Sequence, residues 1–453
     1  MNFYILDAIF LIFFIIFLLI FLFKNKKKLK REGIFFLYRT KKGLNFIDKF
    51  SRRNKKLIYI ISYFSIFFGY LFLIISIFLF LFTLKIFYIA KTVPNIPPII
   101  PIFPYITEIF KIKFLPPFYF IYWIIIILII AISHEFAHGI FARAYDIKLK
   151  STGFGFLGPF ILAFVEPDEK EMNKKKIKNQ LAILSAGSFA NFLVALIFIL
   201  ILQIFFLLFY QPIGVHGYFL AIEEVNISNL GINLNNSNYS FPIKFEINNN
   251  TYYLTKELWE SQKDLIIKGK SDKIILYIDS PAYKANLTGA IIEVDGKKVE
   301  HIREIIKILE NKKPGDKIKI KTEIKEYEIE LTSHPKNLSK GFLGISFVPI
   351  TNKIMYLFLF QYYKFNPYLK TKAINEIFDF FRDLFYWIAI IGLSVAFFNM
   401  LPFGFLDGGK SIYLTFLLIF KNKKIASILY NITNAIIIFI LFLLMFFWFI
   451  KLS

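Results

Sequence analysis

Long hydrophobic runs separated by short basic segments form the dominant pattern of the chain. An uncharged run of about 18 or more apolar residues is long enough to cross a lipid bilayer as a helix. Runs of this kind predict about six transmembrane helices: Tyr4–Phe23, Leu57–Phe82, Phe118–Ala142, Leu181–Tyr210, Leu384–Phe398 with its continuation, and Ile425–Ile450. The pattern therefore predicts a polytopic α-helical membrane protein.

The region between the fourth and fifth runs has a different pattern of short alternating segments and turns. Asp295-Gly296 is a hairpin signal between two apolar strands, and the sequence KIKIK from Lys317 alternates as a half-buried strand. A helix between them is predicted by apolar residues at helical spacing: Ile302, Ile305, Ile306 and Leu309. With a further strand in Gly341–Phe347, this order resembles a PDZ domain over about 272–350. We therefore expect an α+β PDZ-like domain, which would take a peptide C-terminus as a possible partner.

Composition and charge support the membrane assignment. Of 453 residues, 57% are hydrophobic and 59 are Phe, and the formal net charge is +23. Fourteen Lys or Arg lie between Lys24 and Lys56, against Glu32 and Asp48. Short basic loops stay on the cytoplasmic side and face anionic lipid. We therefore assign the charge to the bilayer rather than to nucleic acid, and we expect the N-terminus and the PDZ-like domain to be extracytoplasmic.

Two histidines and a glutamate interrupt the third run, in the sequence HEFAH. Residues four apart share a helix face, so His134 and His138 can bind one metal ion through their ring nitrogens. Glu135 lies one step round the helix, where it can take a proton from a water molecule beside the metal. His134 is roughly 24 Å along a helix from Phe118, in a hydrocarbon core about 30 Å thick. The site is therefore predicted within the membrane, toward its cytoplasmic side.

A catalytic zinc ion needs a third protein ligand. The chain has no cysteine, and the best candidate lies in the sequence NMLPFGFLDGGK, which starts at Asn399. Asn399 is roughly 22 Å along the fifth span, which matches the depth of His134. Pro402 then ends the helix, and irregular backbone at membrane depth survives only where it is buried or lines a wet cavity. We predict that Asp407 completes a site for one catalytic zinc ion and that Asn399 hydrogen-bonds the substrate carbonyl.

The sequence STGFGFLGPFILAFVE (Ser151–Glu166) has spaced glycines and then an apolar run typical of a strand. We predict a re-entrant hairpin whose free edge can pair with an extended substrate; a plain hydrophobic loop is the alternative. Gly158 and Phe164 are its candidates for positioning the substrate.

Together these motifs resemble the site-2 proteases, a family of intramembrane zinc metalloproteases. The resemblance covers about Phe118 to Phe420 and rests on four sequences: HEFAH at 134–138, AFVEPDEKE at 163–171, AGSFANF at 186–192, and NxxPxxxxDGG at 399–409. It implies cleavage of transmembrane helices in membrane-protein substrates, by regulated intramembrane proteolysis. Its implied site has zinc on His134, His138 and Asp407, Glu135 as general base, Asn399 against the substrate, and Asn191 lining the core. The family often has Pro where this chain has Ser188.

The predicted organisation has four regions. They are 1–92, an N-terminal two-helix membrane region with a basic cytoplasmic loop; 93–211, the first part of the catalytic membrane core; 212–352, an extracytoplasmic region holding the PDZ-like domain; and 353–453, a linker helix followed by the second part of the core. The Asn-rich stretch His216–Ser271 has no pattern that assigns it a fold.

Two other functions are compatible with these motifs. A membrane-anchored zinc metallopeptidase could act on soluble or juxtamembrane peptides, but a third ligand at membrane depth argues against it. A non-enzymatic PDZ membrane scaffold could carry a structural metal, but a structural zinc site is closed by four protein ligands, and the sequence offers three good ones.

Overall fold

The computed structural model describes residues 3–33, 35–89, 97–99, 102–112, 115–157, 160–216, 218–220, 222–230, 240–247, 250–267, 271–334, 337–347, 369–404 and 406–452. The chain forms two compact units. The helical unit comprises Met1–Leu202 and Phe380–Ser453, and the strand-rich unit comprises Gln203–Asp379.

The helices, in chain order, are α1 (Phe3–Lys24), α2 (Leu44–Arg53), α3 (Lys55–Ile89), α4 (Ile106–Ile109), α5 (Phe120–Ala144), α6 (Glu169–Asn173), α7 (Ile177–Phe209), α8 (Lys256–Ile267), α9 (Pro281–Lys284), α10 (Ile302–Glu310), α11 (Ile377–Asn399), α12 (Asp407–Phe420) and α13 (Lys423–Leu452). Among the described residues, six helices are long and apolar enough to cross a membrane: α1, α3, α5, α7, α11 and α13. Each overlaps one predicted run, although α3 continues to Ile89 and α11 begins at Ile377, before the predicted start. The prediction of a polytopic helical membrane protein is confirmed to this extent.

The strands are β1 (Leu29–Glu32), β2 (Phe35–Thr40), β3 (Leu149–Leu157), β4 (Phe160–Pro167), β5 (Tyr210–Val215), β6 (Tyr218–Leu220), β7 (Ile222–Asn226), β8 (Ile243–Ile247), β9 (Asn250–Leu254), β10 (Lys273–Ile278), β11 (Ile291–Val294), β12 (Lys297–Lys298), β13 (Lys317–Thr322), β14 (Glu326–Glu330), β15 (Thr332–His334), β16 (Asn337–Phe342), β17 (Ile345–Phe347) and β18 (Leu369–Ala373). The first four belong to the helical unit, and the others belong to the strand-rich unit.

A buried aspartate fastens α1 to the start of α5. Asp7 is 4% exposed, and its carboxylate accepts hydrogen bonds from the backbone N–H groups of Phe120 (2.8 Å) and Ile121 (2.9 Å). The Tyr105 hydroxyl donates a third bond of 2.6 Å. The first N–H groups of a helix have no partner inside it, so Asp7 caps α5 from a neighbouring helix and complements its dipole.

The predicted hairpin forms as β3 and β4, with Gly153 opposite Phe164. The sheet has the order β1-β2-β3-β4, so β2 covers one side of the hairpin and β4 is its edge among the described strands. Gly153 is required at the β2 contact because a Cβ there would lie 2.2 Å from the carbonyl oxygen of Tyr38. Gly158 lies outside the described residues, so its predicted role stays a prediction.

The strand-rich unit has two hydrophobic cores. One sheet, β7-β10-β9-β8, carries α8 and buries one cluster: Val225, Tyr252, Leu254, Ile266, Ile274 and Leu276. A second sheet, β14-β13-β11-β5-β18 with β12 beside β11, surrounds another cluster with α10: Val215, Leu287, Ile291, Val294, Ile305, Ile318 and Ile320 among others. The predicted hairpin at Asp295-Gly296 joins β11 to β12, and both turn residues have positive φ, as a tight type I′ turn requires.

Three details differ from the sequence-based expectations. Lys273–Ile278 was included in the PDZ-like region, but as β10 it pairs with β7 and β9 in the other sheet. The Asn-rich stretch contributes β6 to β9 and α8, because its apolar residues alternate on the strands. The predicted linker helix is wrong over Leu369–Ala373, which pairs with β5 as a strand, and its residues 353–368 lie outside the described ones.

Candidate metal centre

Three side chains from distant parts of the sequence meet where α5 passes the start of α12. The Nε2 atoms of His134 and His138 are each 3.3 Å from Oδ2 of Asp407. The two Nε2 atoms are 3.0 Å apart. On a tetrahedral zinc ion with bonds of 2.0–2.1 Å, neighbouring ligand atoms are about 3.3 Å apart. Two imidazole nitrogens and one carboxylate oxygen at these distances therefore fit zinc, and three protein ligands are the number typical of a catalytic zinc site.

The outer nitrogen of His138 sets the orientation of its ring. Nδ1 lies 2.7 Å from the backbone carbonyl oxygen of Ile183 on α7. A carbonyl can only accept, so Nδ1 carries the proton and donates, which leaves the lone pair of Nε2 directed at His134 and Asp407. Such an outer hydrogen bond is the usual support of a metal-binding histidine.

Asn191 gives His134 similar support. Its side chain is 0% exposed, its amide contacts Nδ1 of His134 at 3.2 Å, and its other amide atom is 3.1 Å from Oγ of Ser133. A His134 that binds metal through Nε2 carries a proton on Nδ1 and needs an acceptor there. The two amide atoms of Asn cannot be told apart by shape, so we assign Oδ1 to His134. Nδ2 then donates to Ser133, whose hydroxyl donates to the carbonyl of Ile130 at 3.0 Å.

A glycine lets α7 approach the histidine pair. A Cβ on Gly187 would lie 2.5 Å from Cε1 of His134 and 2.5 Å from Nε2 of His138. Real Cβ atoms do not come so close, so any larger residue would displace one of the two rings. The AGSFANF sequence thus brings both a space-saving glycine and the buried Asn191 to the same side of the site.

The third ligand is carried by a break between two helices. The α11 helix ends at Asn399, the chain turns through Pro402 and Gly404, and α12 begins at Asp407. The first turn of α12 lies directly against the end of α11, because a Cβ on Gly408 would be 2.1 Å from the carbonyl oxygen of Met400. The two glycines after Asp407 therefore allow the close return that brings its carboxylate to α5.

The break is held by two polar side chains of α13. Oδ1 of Asn434 accepts a hydrogen bond of 2.7 Å from the backbone N–H of Gly404, and the Tyr430 hydroxyl donates one of 3.0 Å to the carbonyl oxygen of Gly404. Sequence reasoning missed both residues. The signal was Asn434 itself, an amide inside an apolar run, because polar groups at such depth usually have a function.

Glu135 points toward the hairpin. Its Oε2 accepts a hydrogen bond of 3.0 Å from the backbone N–H of Val165 on β4. Since N–H and C=O groups alternate sides along a strand, the backbone groups of Ala163 and Ile161 face the same open edge as that of Val165. The edge of β4 therefore runs beside the carboxylate that sequence reasoning selected as general base.

The remaining predicted residues have different surroundings. Asn399 is half-buried at the end of α11, and no hydrogen bond of the described residues joins it to the histidines or Asp407. Phe164 lies on β4, with the Arg39 guanidinium 5.9 Å from its ring centre. Glu166 accepts bonds from Ser151 and Arg39, which lower its carboxyl pKa.

Comparison with known proteins agrees with this geometry. The model of Peptidase family M50 matches residues 122–444, which is more than half of the chain and includes every ligand residue. The chain belongs to peptidase family M50. This is the family of the site-2 proteases, as the sequence motifs predict, and its peptidases depend on zinc in general. The family assignment also agrees with a membrane protein built on the six apolar helices.

A curated relative matches a shorter stretch. The chain is 52% identical over 79 residues to an uncharacterized protein of Methanocaldococcus jannaschii, MJ0971. The match covers 16% of this chain and 21% of that protein. The similarity therefore concerns one segment and adds no activity to the family assignment.

Proposed function

We propose that the protein is an intramembrane zinc metalloprotease that hydrolyses peptide bonds within transmembrane segments of membrane-protein substrates. The observation that carries the proposal is the meeting of His134, His138 and Asp407 on hydrophobic helices, with Glu135 beside them. A site buried at membrane depth is suited to a substrate that is itself in the membrane. A soluble peptide would have to leave water to reach it.

The side chains have distinct roles in the proposed reaction. His134, His138 and Asp407 would hold the zinc ion, which would supply Lewis acidity toward water and the scissile carbonyl. Glu135 accepts the proton of the attacking water on a carboxylate oxygen and later gives it to the nitrogen of the leaving amine. Asn399 donates from Nδ2 to the oxygen of the scissile carbonyl as its negative charge develops.

The edge of β4 is the proposed substrate-binding strand. A transmembrane helix has its peptide groups in internal hydrogen bonds, so a substrate must unwind before a bond can be cut. An unwound segment needs new partners in the membrane, and the open edge at Ala163 and Ile161 supplies them by β-strand addition. Because Val165 on the same edge contacts Glu135, a strand paired there would pass the proposed general base. Phe164, on β4 itself, would contact one face of the paired substrate strand.

The topology and the strand-rich unit complete the proposal. Short basic loops support an orientation with the active site toward the cytoplasmic side of a cell membrane and the strand-rich unit outside. The order β11, β12, α10, β13 and β14 supports a PDZ-like domain, for which we propose a peptide C-terminus as ligand. Regulated proteolysis, in which an external cut precedes the cut in the membrane, would suit this arrangement.

The decisive experiment uses Glu135→Gln in the full chain. This variant removes the proton acceptor but none of the metal ligands, so it is expected to retain one zinc ion per chain and to lose cleavage of a co-expressed single-span substrate. Cleavage would be followed by immunoblotting and zinc by mass spectrometry. Membrane fractions of the variant should accumulate the span-containing natural substrates, which would identify them.

Glu169→Gln is the matched control, because Glu169 is an exposed carboxylate on α6 and should leave cleavage unchanged. Full activity of Glu135→Gln would exclude the mechanism. Cleavage of soluble peptides but of no membrane-spanning substrate would favour the membrane-anchored metallopeptidase instead.

A further inference from the structure

We propose that Tyr430 and Asn434 of the last helix are positioning residues that hold Asp407 at the metal site, by fixing both peptide groups of Gly404. The inference rests on the proposed metal site and extends it to α13, which carries none of the three ligands. These two side chains and their two hydrogen bonds to Gly404 form the Gly404 clamp.

The geometry of the clamp is specific. Tyr430 and Asn434 are four residues apart, so they share one face of α13. The Asn434 side chain accepts a hydrogen bond of 2.7 Å from the N–H of Gly404, and the Tyr430 hydroxyl donates one of 3.0 Å to the C=O of the same residue. A helix face that matches a donor and an acceptor on a single residue fixes the orientation of that residue as well as its position.

The break needs such partners because of where it lies. Asn434 is roughly 16 Å along α13 from Lys423, so the clamp is well inside a helix that is long and apolar enough to span a membrane. Backbone polar groups without partners cost several kcal/mol in hydrocarbon. Gly404 has a φ of +40°, outside the helical region, and therefore cannot use a regular helical bond pattern.

The clamp is connected to Asp407 by short steps. The backbone N–H of Leu406 donates to the carbonyl of Phe403 at 3.0 Å, which closes the turn just before Asp407. A Cβ on Gly409 would lie 2.7 Å from the carbonyl oxygen of Gly404, so the first turn of α12 rests on the clamped peptide. A shift of Gly404 would therefore move the start of α12 and the carboxylate it carries.

Hydrophobic contacts hold the same segment to the same helix. Leu401 and Leu406, on either side of Gly404, form a buried cluster with Ile437 of α13. Ile437 lies one helical turn beyond Asn434 and is 3% exposed. These contacts keep the break near α13 without fixing its peptide orientation, so loss of the clamp alone should change the geometry of the metal site without unfolding the protein.

The test measures zinc affinity of the purified full chain by competition with a chromophoric chelator. Asn434→Leu keeps the size of the side chain but removes the acceptor, and Tyr430→Phe removes only the donor hydroxyl. We expect zinc binding to weaken by up to about 10–100-fold in Asn434→Leu, the range for residues that hydrogen-bond a metal ligand directly. We expect a smaller loss in Tyr430→Phe. Asn434→Asp, which keeps an acceptor oxygen at the same position, should recover most of the affinity.

Asn431→Leu is the matched control, since Asn431 is an exposed residue of the same type on the same helix. It should bind zinc as the wild type does. The visible spectrum of the cobalt-substituted protein provides a second measurement, because it reports ligand geometry: it should change in Asn434→Leu and Tyr430→Phe but not in Asn431→Leu.

The outcomes separate this inference from the proposed function. Zinc affinity and cobalt spectra equal to wild type in both clamp variants would overturn the inference and leave the metal site intact. An equal loss in Asn431→Leu would also overturn it, because the effect would then be general to α13. A wild-type chain that binds no zinc would instead overturn the proposed function. If Asn434→Leu does not fold, Tyr430→Phe decides the question alone.

Discussion

The two halves of the metal centre are built in opposite ways. His134 and His138 project from the uninterrupted helix α5, whose backbone hydrogen bonds are made within the helix. Asp407 follows a break in which the chain leaves α11, turns through Gly404 and re-enters a helix as α12. The helical half fixes the spacing of its ligands by itself. The broken half depends on partners outside its own segment, such as Asn434 and Tyr430 of α13.

The difference shows why both kinds of backbone are needed. Two ligands from one helix face can only lie side by side, so the third must approach from another direction. A continuous helix passing at the same depth would bring a side chain, but its backbone would also pack along the site. A break instead carries a carboxylate at the start of a new helix, so that Asp407 can approach the two histidines from outside α5.

Replacement of Asp407, the ligand of the broken half, should cause the largest loss of zinc binding. Asp407→Ala leaves two neutral nitrogen ligands, so we expect loss of stoichiometric zinc and of cleavage, measured by metal analysis and by a substrate blot. Asp146→Asn, at an exposed carboxylate just after α5, should change neither. Amide hydrogen exchange should rise at 400–404 and 406–409 but not at 130–142, since the helix keeps its internal bonds. Equal increases in both segments would contradict the proposed contrast between the halves.

Replacement of Asn191, which supports the helical half, should cause an intermediate loss of zinc affinity. Asn191→Leu takes away the acceptor for the outer nitrogen of His134 but leaves all three ligands, so zinc should bind about 10–100-fold more weakly. Chelator competition provides the measurement. Asn191→Asp, which keeps an acceptor at that position, should bind closer to wild type. If Asn191→Leu binds zinc as tightly as wild type, His134 needs no support from the Asn191 amide.

Removal of the Ser133 hydroxyl should cause the smallest loss of zinc affinity. In our assignment Ser133 accepts a hydrogen bond from Nδ2 of Asn191, so Ser133→Ala frees the amide to rotate. One net hydrogen bond is worth about 0.5–1.5 kcal/mol, which corresponds to a loss of at most about tenfold in zinc affinity. The same titration measures it. A loss as large as that of Asn191→Leu would mean that Ser133 supports His134 by a different route.

The sequence predicted the parts of the fold that a bilayer dictates. Hydrophobic runs gave the six long helices because a membrane span must be both long and apolar. The three residues that meet in the candidate metal site were predicted together because His134 and His138 obey helical spacing, and because depth along two helices puts Asp407 at the same level. The hairpin of β3 and β4 and the turn at Asp295-Gly296 were local enough to be read from their glycines.

Interactions across long separations were not predictable in this way. The pairing of β2 with β3 joins residues more than a hundred positions apart, and the sequence of neither strand indicates its partner. Asn434 looked like an ordinary interruption of an apolar run until Gly404 was placed against it. The fold of the Asn-rich stretch was hidden because its buried residues, such as Val225 and Tyr252, are scattered among many polar ones.

The ladder between β5 and β18 brings the two ends of the strand-rich unit together, which affects how the chain can change in evolution. Val215 pairs with Leu369 and Tyr210 with Ala373, so the segment between α7 and α11 leaves and returns through two adjacent strands. A segment whose two ends meet can be gained, lost or exchanged while the chain on either side keeps its path. A two-residue turn between Val215 and Leu369 would close the ladder as a simple hairpin. The strand-rich unit thus enters and leaves through neighbouring strands, so its sequence can change while the path of α7 and α11 is kept.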